Sequence, residues 1–418
     1  MKRKQLITNK SPILINISGT CGKTTTAKII ETVLNSLGFK VGLASSIGIY
    51  LNGKRVKKKD RTGPESFKFL HTRADNLDII ICENVLRHIK IDNFYPARAD
   101  MCLITNVTED HIHQTKSKTI KELAQIKSKL IDRCKDDGKV ILNGDNKYTK
   151  SMAKSKKITK LILFTAKKAN IKQLQKFHPL MIYYSHKRSI FKKQRDGKET
   201  KIIHNMAELP LTLDMKLNFN IYNLLSAISV LDNLSKIHPP HALLDKYLSK
   251  IKLDYAYIPG RFNIYDFKKF IVILDDAHNP ESYKEAFRTA KQIKHKRLVS
   301  IIKASSTRTP DFITKLGEIA GGNSDLIYVK ESFAKDSKKR RSLGGKIAKL
   351  LITGIQKSEF PSSNIHVILD EMEAVKTAIQ NAKKDDLILV FGYRVDKLAK
   401  LISRLRESST LQTSSNNV

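Results

Sequence analysis

Residues 13–26 read ILINISGTCGKTTT, and this stretch decides the fold. The apolar, β-branched run of Ile13, Leu14, Ile15 and Ile17 has the character of a buried strand. Gly19-Thr20-Cys21-Gly22 then makes a tight loop, and Lys23-Thr24-Thr25-Thr26 opens a helical pattern through Ile29, Ile30, Val33 and Leu34. Strand, glycine loop, Lys-Thr and helix in that order form a phosphate cradle. The loop N–H groups and the positive end of the helix attract anionic oxygens. Gly19, Thr20, Gly22 and Thr25 would line the cradle, Lys23 would reach the β/γ-phosphates, and the Thr24 hydroxyl would hold Mg²⁺. ATP and Mg²⁺ are therefore the expected cofactors. The general pattern has a Gly separated by four residues from Gly22, where this chain has Ile17, so the loop is a G-T-x-G-K-T-T variant. A bare Gly-Lys-Thr could also be a helix-start turn without a ligand; the flanking strand and helix favour the cradle.

Outward from this loop, strands and helices alternate. Strands are expected at 40–44, at Leu77 to Cys82 ending on Glu83, at Met101 to Asn106 and at Val140 to Leu142, with a helix from Thr119 to Cys134. Such alternation predicts an α/β unit with a parallel sheet and helices on both faces. Ligands then belong at the carboxyl ends of the strands, where the loop, Glu83 and Asn106 fall. Glu83 is a natural Mg²⁺ ligand there, or else a helix-start carboxylate. Short strands and polar turns follow from 150 to 215, and a helix returns at 220–236. AYIPGR, residues 256–261, marks a junction to a second, smaller α/β unit with strands at 270–274, 297–302, 326–329, 365–368 and 387–391. The expected division is 1–256, 257–405 and a polar, disordered tail at 406–418.

Composition narrows the function. Lys+Arg is 77 against Asp+Glu 40 in 418 residues, a net charge of +37, and the excess is spread along the chain. No basic run interleaves with stacking aromatics, so a nucleic-acid partner is not expected. Cys21, Cys82, Cys102 and Cys134 form no C-x-x-C pair and read as reduced thiols. The basic N-terminus lacks an apolar core for a signal peptide, and no apolar run would cross a bilayer, so a cytoplasmic location with no membrane partner is expected.

Further motifs keep a fixed order: Asn106-Val107-Thr108-Glu109-Asp110-His111, Asn220-Ile-Tyr-Asn223, Gly260-Arg261 and Asp275-Asp276-Ala277-His278-Asn279-Pro280. With the loop, this set resembles the Mur ligase superfamily, from about residue 13 to 400. Within it, the chain is most similar to the Mur-ligase half of cyanophycin synthetases, through Gly48-Ile49-Tyr50-Leu51-Asn52-Gly53, Thr62-Gly63-Pro64-Glu65-Ser66 and Glu122-Leu123-Ala124-Gln125-Ile126-Lys127. Segments 370–375 and 385–391 also fit.

The resemblance implies a P-loop central domain and a smaller Rossmann-like C-terminal α/β domain. It implies an ATP-dependent ligase joining an amino-acid or peptide carboxylate to an amine through an acyl phosphate. Lys23, His111 and Lys127 would be catalytic, Lys127 as a carbamylated lysine. Thr24, Glu83 and His111 would hold metal; His113 completes an H-x-H pair. Asn223 and Asn220 would read the adenine edge, and Asn220 would also cap its helix. Arg261 would contact phosphate oxygens, and Asp275 the ribose or a metal-bound water. His278 matches the family, or is a solvent-facing helix-start residue.

Only a dozen residues precede the cradle strand, so a nucleotide-sugar substrate is not expected, and a separate ATP-grasp ligase is a candidate partner, as is a second copy of the chain. Three departures mark the substrate side: Ile47 replaces an acidic residue, Asn218 a glycine, and Glu83-Asn84-Val85-Leu86-Arg87-His88 stands where E-T-A-R-G-G is usual. Other readings are a poly-γ-glutamate or folyl-polyglutamate type ligase, and a nucleotide-binding pseudoenzyme partner of an ATP-grasp ligase.

Overall fold

A computed structural model describes residues 11–58, 60–90, 98–109, 119–155, 158–234, 241–331 and 345–415. The described residues form two units, and the chain passes from one to the other between Lys252 and Leu253, against an expected division at 256/257.

The first unit opens with β1 (Ile13–Ser18), α1 (Lys23–Ser36), β2 (Val41–Ser45), β3 (Gly48–Leu51) and β4 (Lys54–Lys57). It continues with α2 (Pro64–His71), β5 (Ile79–Glu83), α3 (Leu86–Lys90), β6 (Ala99–Ile104), α4 (Ile120–Asp132), β7 (Cys134–Asn143), α5 (Lys147–Ser155) and β8 (Leu161–Thr165). α6 (Ile171–Gln175), β9 (Met181–His186), β10 (Ser189–Gln194), β11 (Glu199–Ile203), α7 (Asn218–Leu231) and α8 (His241–Leu248) complete it. Eleven strands form one sheet in the order β11-β10-β9-β8-β7-β6-β1-β5-β2-β3-β4. The stretch from β9 to β2 is parallel. Its strands are near-continuous apolar runs because helices cover both faces; β5 is buried throughout.

Hairpins close both edges. β3 and β4 are joined by Asn52-Gly53, both at positive φ (48° and 83°), which gives the loop a twist that matches its strands. β9, β10 and β11 form an antiparallel meander at the other edge. The expected parallel sheet is thus a parallel centre with antiparallel margins.

The second unit runs β12 (Asn263–Asp266), β13 (Ile271–Asp275), α9 (Pro280–Ala290), β14 (Arg297–Ile302), α10 (Pro310–Gly321), β15 (Leu326–Val329), α11 (Lys346–Gln356), β16 (Ile365–Val367), α12 (Glu371–Gln380), β17 (Asp386–Phe391) and α13 (Val395–Ser415). Its sheet order is β12-β13-β17-β14-β15-β16, parallel except for β12. Val272, Leu274, Val299, Ile301, Ile388 and Val390 form the core beneath α12 and α13. The tail expected to be disordered from 406 is instead helical to Ser415, because α13 continues into it. Leu398, Ala399 and Ile402, one helical face earlier in α13, are buried on the sheet and anchor it.

Candidate active site

The loop between β1 and α1 is a backbone cradle. Gly19 has φ 146°, and a Cβ there would lie 1.9 Å from Thr105 Oγ1. Gly22 caps α1 at φ 84°, and a Cβ there would lie 2.3 Å from Asn223 Oδ1. Both positions therefore exclude any side chain. The end of β6 grips the loop from beside it. The Thr20 N–H donates to Asn106 O (3.0 Å) and the Cys21 N–H to Asn106 Oδ1 (2.9 Å). Thr105 Oγ1 donates to Cys21 O at 2.7 Å. Asn106 was legible from the sequence as a strand-end residue; Thr105 was not.

One side of the cradle is lined with hard oxygen. Thr24 Oγ1 donates to Glu83 Oε2 at 3.0 Å and lies 2.8 Å from Ser46 Oγ. The Ser46 N–H donates to the same Glu83 oxygen at 2.9 Å. Glu83 is 2% exposed, so its charge is compensated locally, and Lys23 Nζ stands 4.0 Å from Oε1. Lys23 Nζ also donates to Thr20 O at 2.9 Å, within the loop. A hydroxyl and one carboxylate beside a phosphate cradle are a donor set that suits Mg²⁺, which keeps waters and phosphate oxygens as its remaining ligands. Thr25 is buried in the first turn of α1. His111 and His113 lie outside the described residues. Among the described residues no cluster of three or more His, Cys, Asp or Glu side chains could hold a metal ion.

Lys127, on α4, is 4% exposed and its Nζ donates to Gly19 O at 2.9 Å, which ties α4 to the cradle backbone. α7 opens at Asn218 with Leu217 as its cap, so Asn220 lies inside the first turn and is not the expected cap. The buried Asn220 amide donates to Leu211 O at 2.7 Å and accepts from Asn223 Nδ2 at 2.8 Å. Asn220 thus orients Asn223, and the Asn223 carbonyl oxygen is left facing Gly22.

In the altered 84–88 segment, Asn84 is buried and bonds Asn16 Oδ1 at 3.1 Å. Arg87 pairs with Asp60 at 3.0 Å and donates to His88 Nε2 at 3.1 Å. Burial, then the Arg87 charge, holds the His88 imidazole below its ordinary pKa.

The second unit carries its own constellation. Arg261 Nη1 donates to Asp276 Oδ2 at 3.1 Å. Asp275 accepts backbone N–H bonds from Phe262 (2.8 Å) and Ala277 (2.7 Å), while burial pushes its carboxyl up. His278 Nδ1 lies 2.7 Å from Asp276 O, beside the Asn279–Ser282 capping box of α9. Sequence reasoning did not single out Lys303, which lies after β14 and is 3% exposed. Its Nζ donates to Asp276 Oδ1 at 3.0 Å and to Gly392 O. Despite burial, the Lys303 and Arg261 charges hold the Asp276 carboxyl well below the usual range. Lys330 and Arg394 were missed as well, and Glu371 entered only within the 370–375 segment, without a role. Lys330 Nζ donates to Glu371 Oε1 at 2.7 Å, and Arg394 Nε to Glu371 Oε2 at 3.1 Å. Nothing local marks these residues in a chain so rich in lysine.

Against known proteins, the Mur ligase middle domain matches residues 17–231, and the Mur ligase, glutamate ligase domain matches residues 260–394. The chain belongs to the Mur ligase family. It is 30% identical to cyanophycin synthetase of Geminocystis herdmanii over 405 residues, covering 96% of this chain and 44% of that protein. This Mur ligase therefore spans less than half the length of that relative. It is 27% identical over 390 residues to UDP-N-acetylmuramoyl-L-alanyl-D-glutamate--2,6-diaminopimelate ligase of Aquifex aeolicus, covering 91% of this chain and 72% of that one. In fold it is similar to E. coli FolC, solved in complex with DHPP and ADP, with a TM-score of 0.63 at 16% identity over 96% of this chain and 90% of that one. No helix among the described residues is long and apolar enough to cross a membrane.

Proposed function

We propose that this chain is an ATP- and Mg²⁺-dependent ligase that joins an amino-acid or peptide carboxylate to an amine, with release of ADP and phosphate. The observation that carries the reading is the Gly19–Gly22 cradle, which opens beside the Thr24–Glu83 oxygen pair.

A carboxylate oxygen is a poor leaving group; ATP, when bound, supplies the phosphoryl group that turns it into a good one. The N–H groups at the start of α1 and Lys23 would bind and orient the phosphates. Thr24 and Glu83 would hold Mg²⁺ in a buried, locally neutralised setting. Asn223, turned by Asn220, would meet the adenine. Arg261 would offer a cation to phosphate oxygens, and Asp275 a carboxylate to the ribose or a metal-bound water. His111 and a carbamylated Lys127 are further candidates; unmodified, Lys127 holds the Gly19 carbonyl.

The 30% identity to a cyanophycin synthetase favours an amino-acid or peptide acceptor over a folate. The altered 84–88 segment leaves the identity of the amine open, and a separate ATP-grasp ligase is a candidate partner. Homo-oligomer formation is a further proposal.

The test is phosphate release by the purified chain. ADP and phosphate should appear only when a carboxylate acceptor and an amine are both present, in a screen with arginine, lysine, aspartate and glutamate as amines. AMP and pyrophosphate as products would refute the reading. Nucleotide binding without turnover under any pairing would favour the pseudoenzyme reading.

A further inference from the structure

The turn at the end of β7, Asn143-Gly144-Asp145-Asn146, reaches two elements of the candidate site at once. Its asparagines hold the strand end that grips the cradle. Asn143 Nδ2 donates to Thr105 O at 2.9 Å. Asn146 Nδ2 donates to Val107 O at 3.0 Å, and Asn146 Oδ1 accepts from the Val107 N–H at 3.3 Å. Thr105 and Asn106, between those contacts, are the residues bonded to the Thr20–Cys21 backbone.

Asp145 serves the second element, α7. Its Oδ1 accepts from Thr165 Oγ1 (2.5 Å) and Asn170 Nδ2 (2.6 Å), and its Oδ2 from the Ala166 N–H (2.8 Å) and the Tyr222 hydroxyl (2.9 Å). Thr165 ends β8, and Ala166 and Asn170 follow it closely. Tyr222 lies 77 residues away from Asp145, on α7. A carboxylate already held by three donors is a fixed point, and the fourth bond ties α7 to it.

α7 has reason to need the tie. Its cap residue, Leu217, offers no side chain to the first-turn N–H groups. Near its start the helix is anchored instead by Asn220, which donates to Leu211 O at 2.7 Å, and by Tyr222. One anchor leaves a helix free to turn about it; Tyr222, two residues on and about 200° around the axis, supplies the second. The next residue is Asn223, whose Oδ1 stands where a Gly22 side chain would be.

We infer that Asp145, acting through Tyr222, is a positioning residue for the base of a bound nucleotide: it sets the rotation of α7 and so the place of Asn223 beside the cradle. The inference rests on the nucleotide reading of that cradle.

Tyr222→Phe removes one hydroxyl and leaves Asp145 its three other donors. Binding of ADP and of inorganic tripolyphosphate, which has no base, is measured by isothermal titration with Mg²⁺ at one salt concentration. Tyr222→Phe should weaken ADP about 5-fold, the scale of one lost hydrogen bond, and leave tripolyphosphate within about twofold. Asp145→Asn should show the same split, and Tyr222→Phe decides the matter if Asp145→Asn does not fold. Unchanged ADP affinity in Tyr222→Phe overturns the inference, and so do equal losses for the two ligands, which a merely structural role would give. A double-mutant cycle tests the route. Tyr222→Phe added to Asn223→Ala should cost ADP nothing beyond Asn223→Ala alone, because both act at one contact. Additive losses overturn the route through Asn223. Wild-type protein that binds neither ligand overturns the nucleotide reading itself, whereas wild-type binding with unaffected variants overturns this inference alone.

Discussion

The cradle in the first unit and the strand-end cluster in the second solve the same problem with opposite materials. Both place polar groups where ligands meet a parallel sheet. The cradle does so with backbone: two glycines that admit no Cβ, a loop pinned to Asn106 through the Thr20 and Cys21 N–H groups, and one Thr–Glu pair 59 residues apart. The cluster does so with side-chain charge: Lys303–Asp276 and Lys330–Glu371, drawn from three strand ends and one helix start. A backbone device is local in sequence and has one shape. A charge device is assembled by topology and can be taken apart one charge at a time. The difference should appear in how each region fails.

The largest effects belong to the cradle and fall on activity. Lys23→Ala should lower ADP formation by at least about 100-fold, the scale of removing one preorganised donor to developing charge. Gly22→Ala should abolish nucleotide binding as well, since its Cβ would enter the space of Asn223 Oδ1 at a left-handed φ. A coupled assay of ADP formation checks the first, and isothermal titration with ADP checks the second. Wild-type turnover in Lys23→Ala would mean that the cradle does not handle the nucleotide.

In the cluster the comparison moves to stability. Lys330→Met alone removes the ammonium beside a buried carboxylate and should cost about 3–5 kcal/mol in urea unfolding. Lys330→Met with Glu371→Gln should recover most of that loss. If the single and paired variants are equally unstable, the interaction is not a charge pair in energetic terms, and the contrast with the cradle collapses.

Acid sharpens the same point. Lys330, the Glu371–Lys330 bond and the Tyr393 and Arg394 N–H groups outweigh burial and hold the Glu371 carboxyl at about 2, below its ordinary value of 4.5. A depressed carboxylate stabilises the fold fully above its unfolded pKa, and the contribution is lost as pH falls through the folded one. The gap in urea midpoint between wild type and Glu371→Gln should therefore narrow between pH 4.5 and about 2. Lys330 runs the other way. Burial holds its ammonium at about 8, below 10.5, although the Glu371 charge opposes the shift. The unfolded chain then binds more protons between those values, and the Lys330 contribution to stability rises with pH across that interval.

The same contrast explains what could be read in the sequence. Residues 19–24 carry their geometry in six consecutive letters, and strand boundaries at 13–18, 297–302 and 326–329 follow from mostly apolar, β-branched-rich runs. Lys303 and Lys330 are two lysines in a chain with 77 basic residues; only the parallel register of β14 and β15 brings both to one edge. The role of Lys127 against the Gly19 carbonyl is invisible for the same reason, 108 residues away. Composition also misled at 406–415, where polar letters read as disorder while α13, anchored at Leu398, Ala399 and Ile402, runs on to Ser415.

The smallest effect tests whether the edge of the cluster behaves like its centre. Asp370 caps α12, accepting from the N–H groups of Met372 (2.8 Å) and Glu373 (3.0 Å), and stands 3.7 Å from Arg394 Nη2. Its side chain is 58% exposed, so the contact with Arg394 is screened and worth little. The cap is different, because it satisfies helix N–H groups that have no partner within the helix. Asp370→Ala should cost about 1 kcal/mol, and Asp370→Asn, which keeps an acceptor but removes the charge, only a few tenths. Urea midpoints at low salt and in 0.5 M NaCl separate the two terms, since about 0.5 M salt screens an exposed pair and leaves a cap almost untouched. If Asp370→Asn costs as much as Asp370→Ala, and the cost vanishes in salt, the charged network reaches the surface, and Arg394 is held by two carboxylates rather than by Glu371 alone.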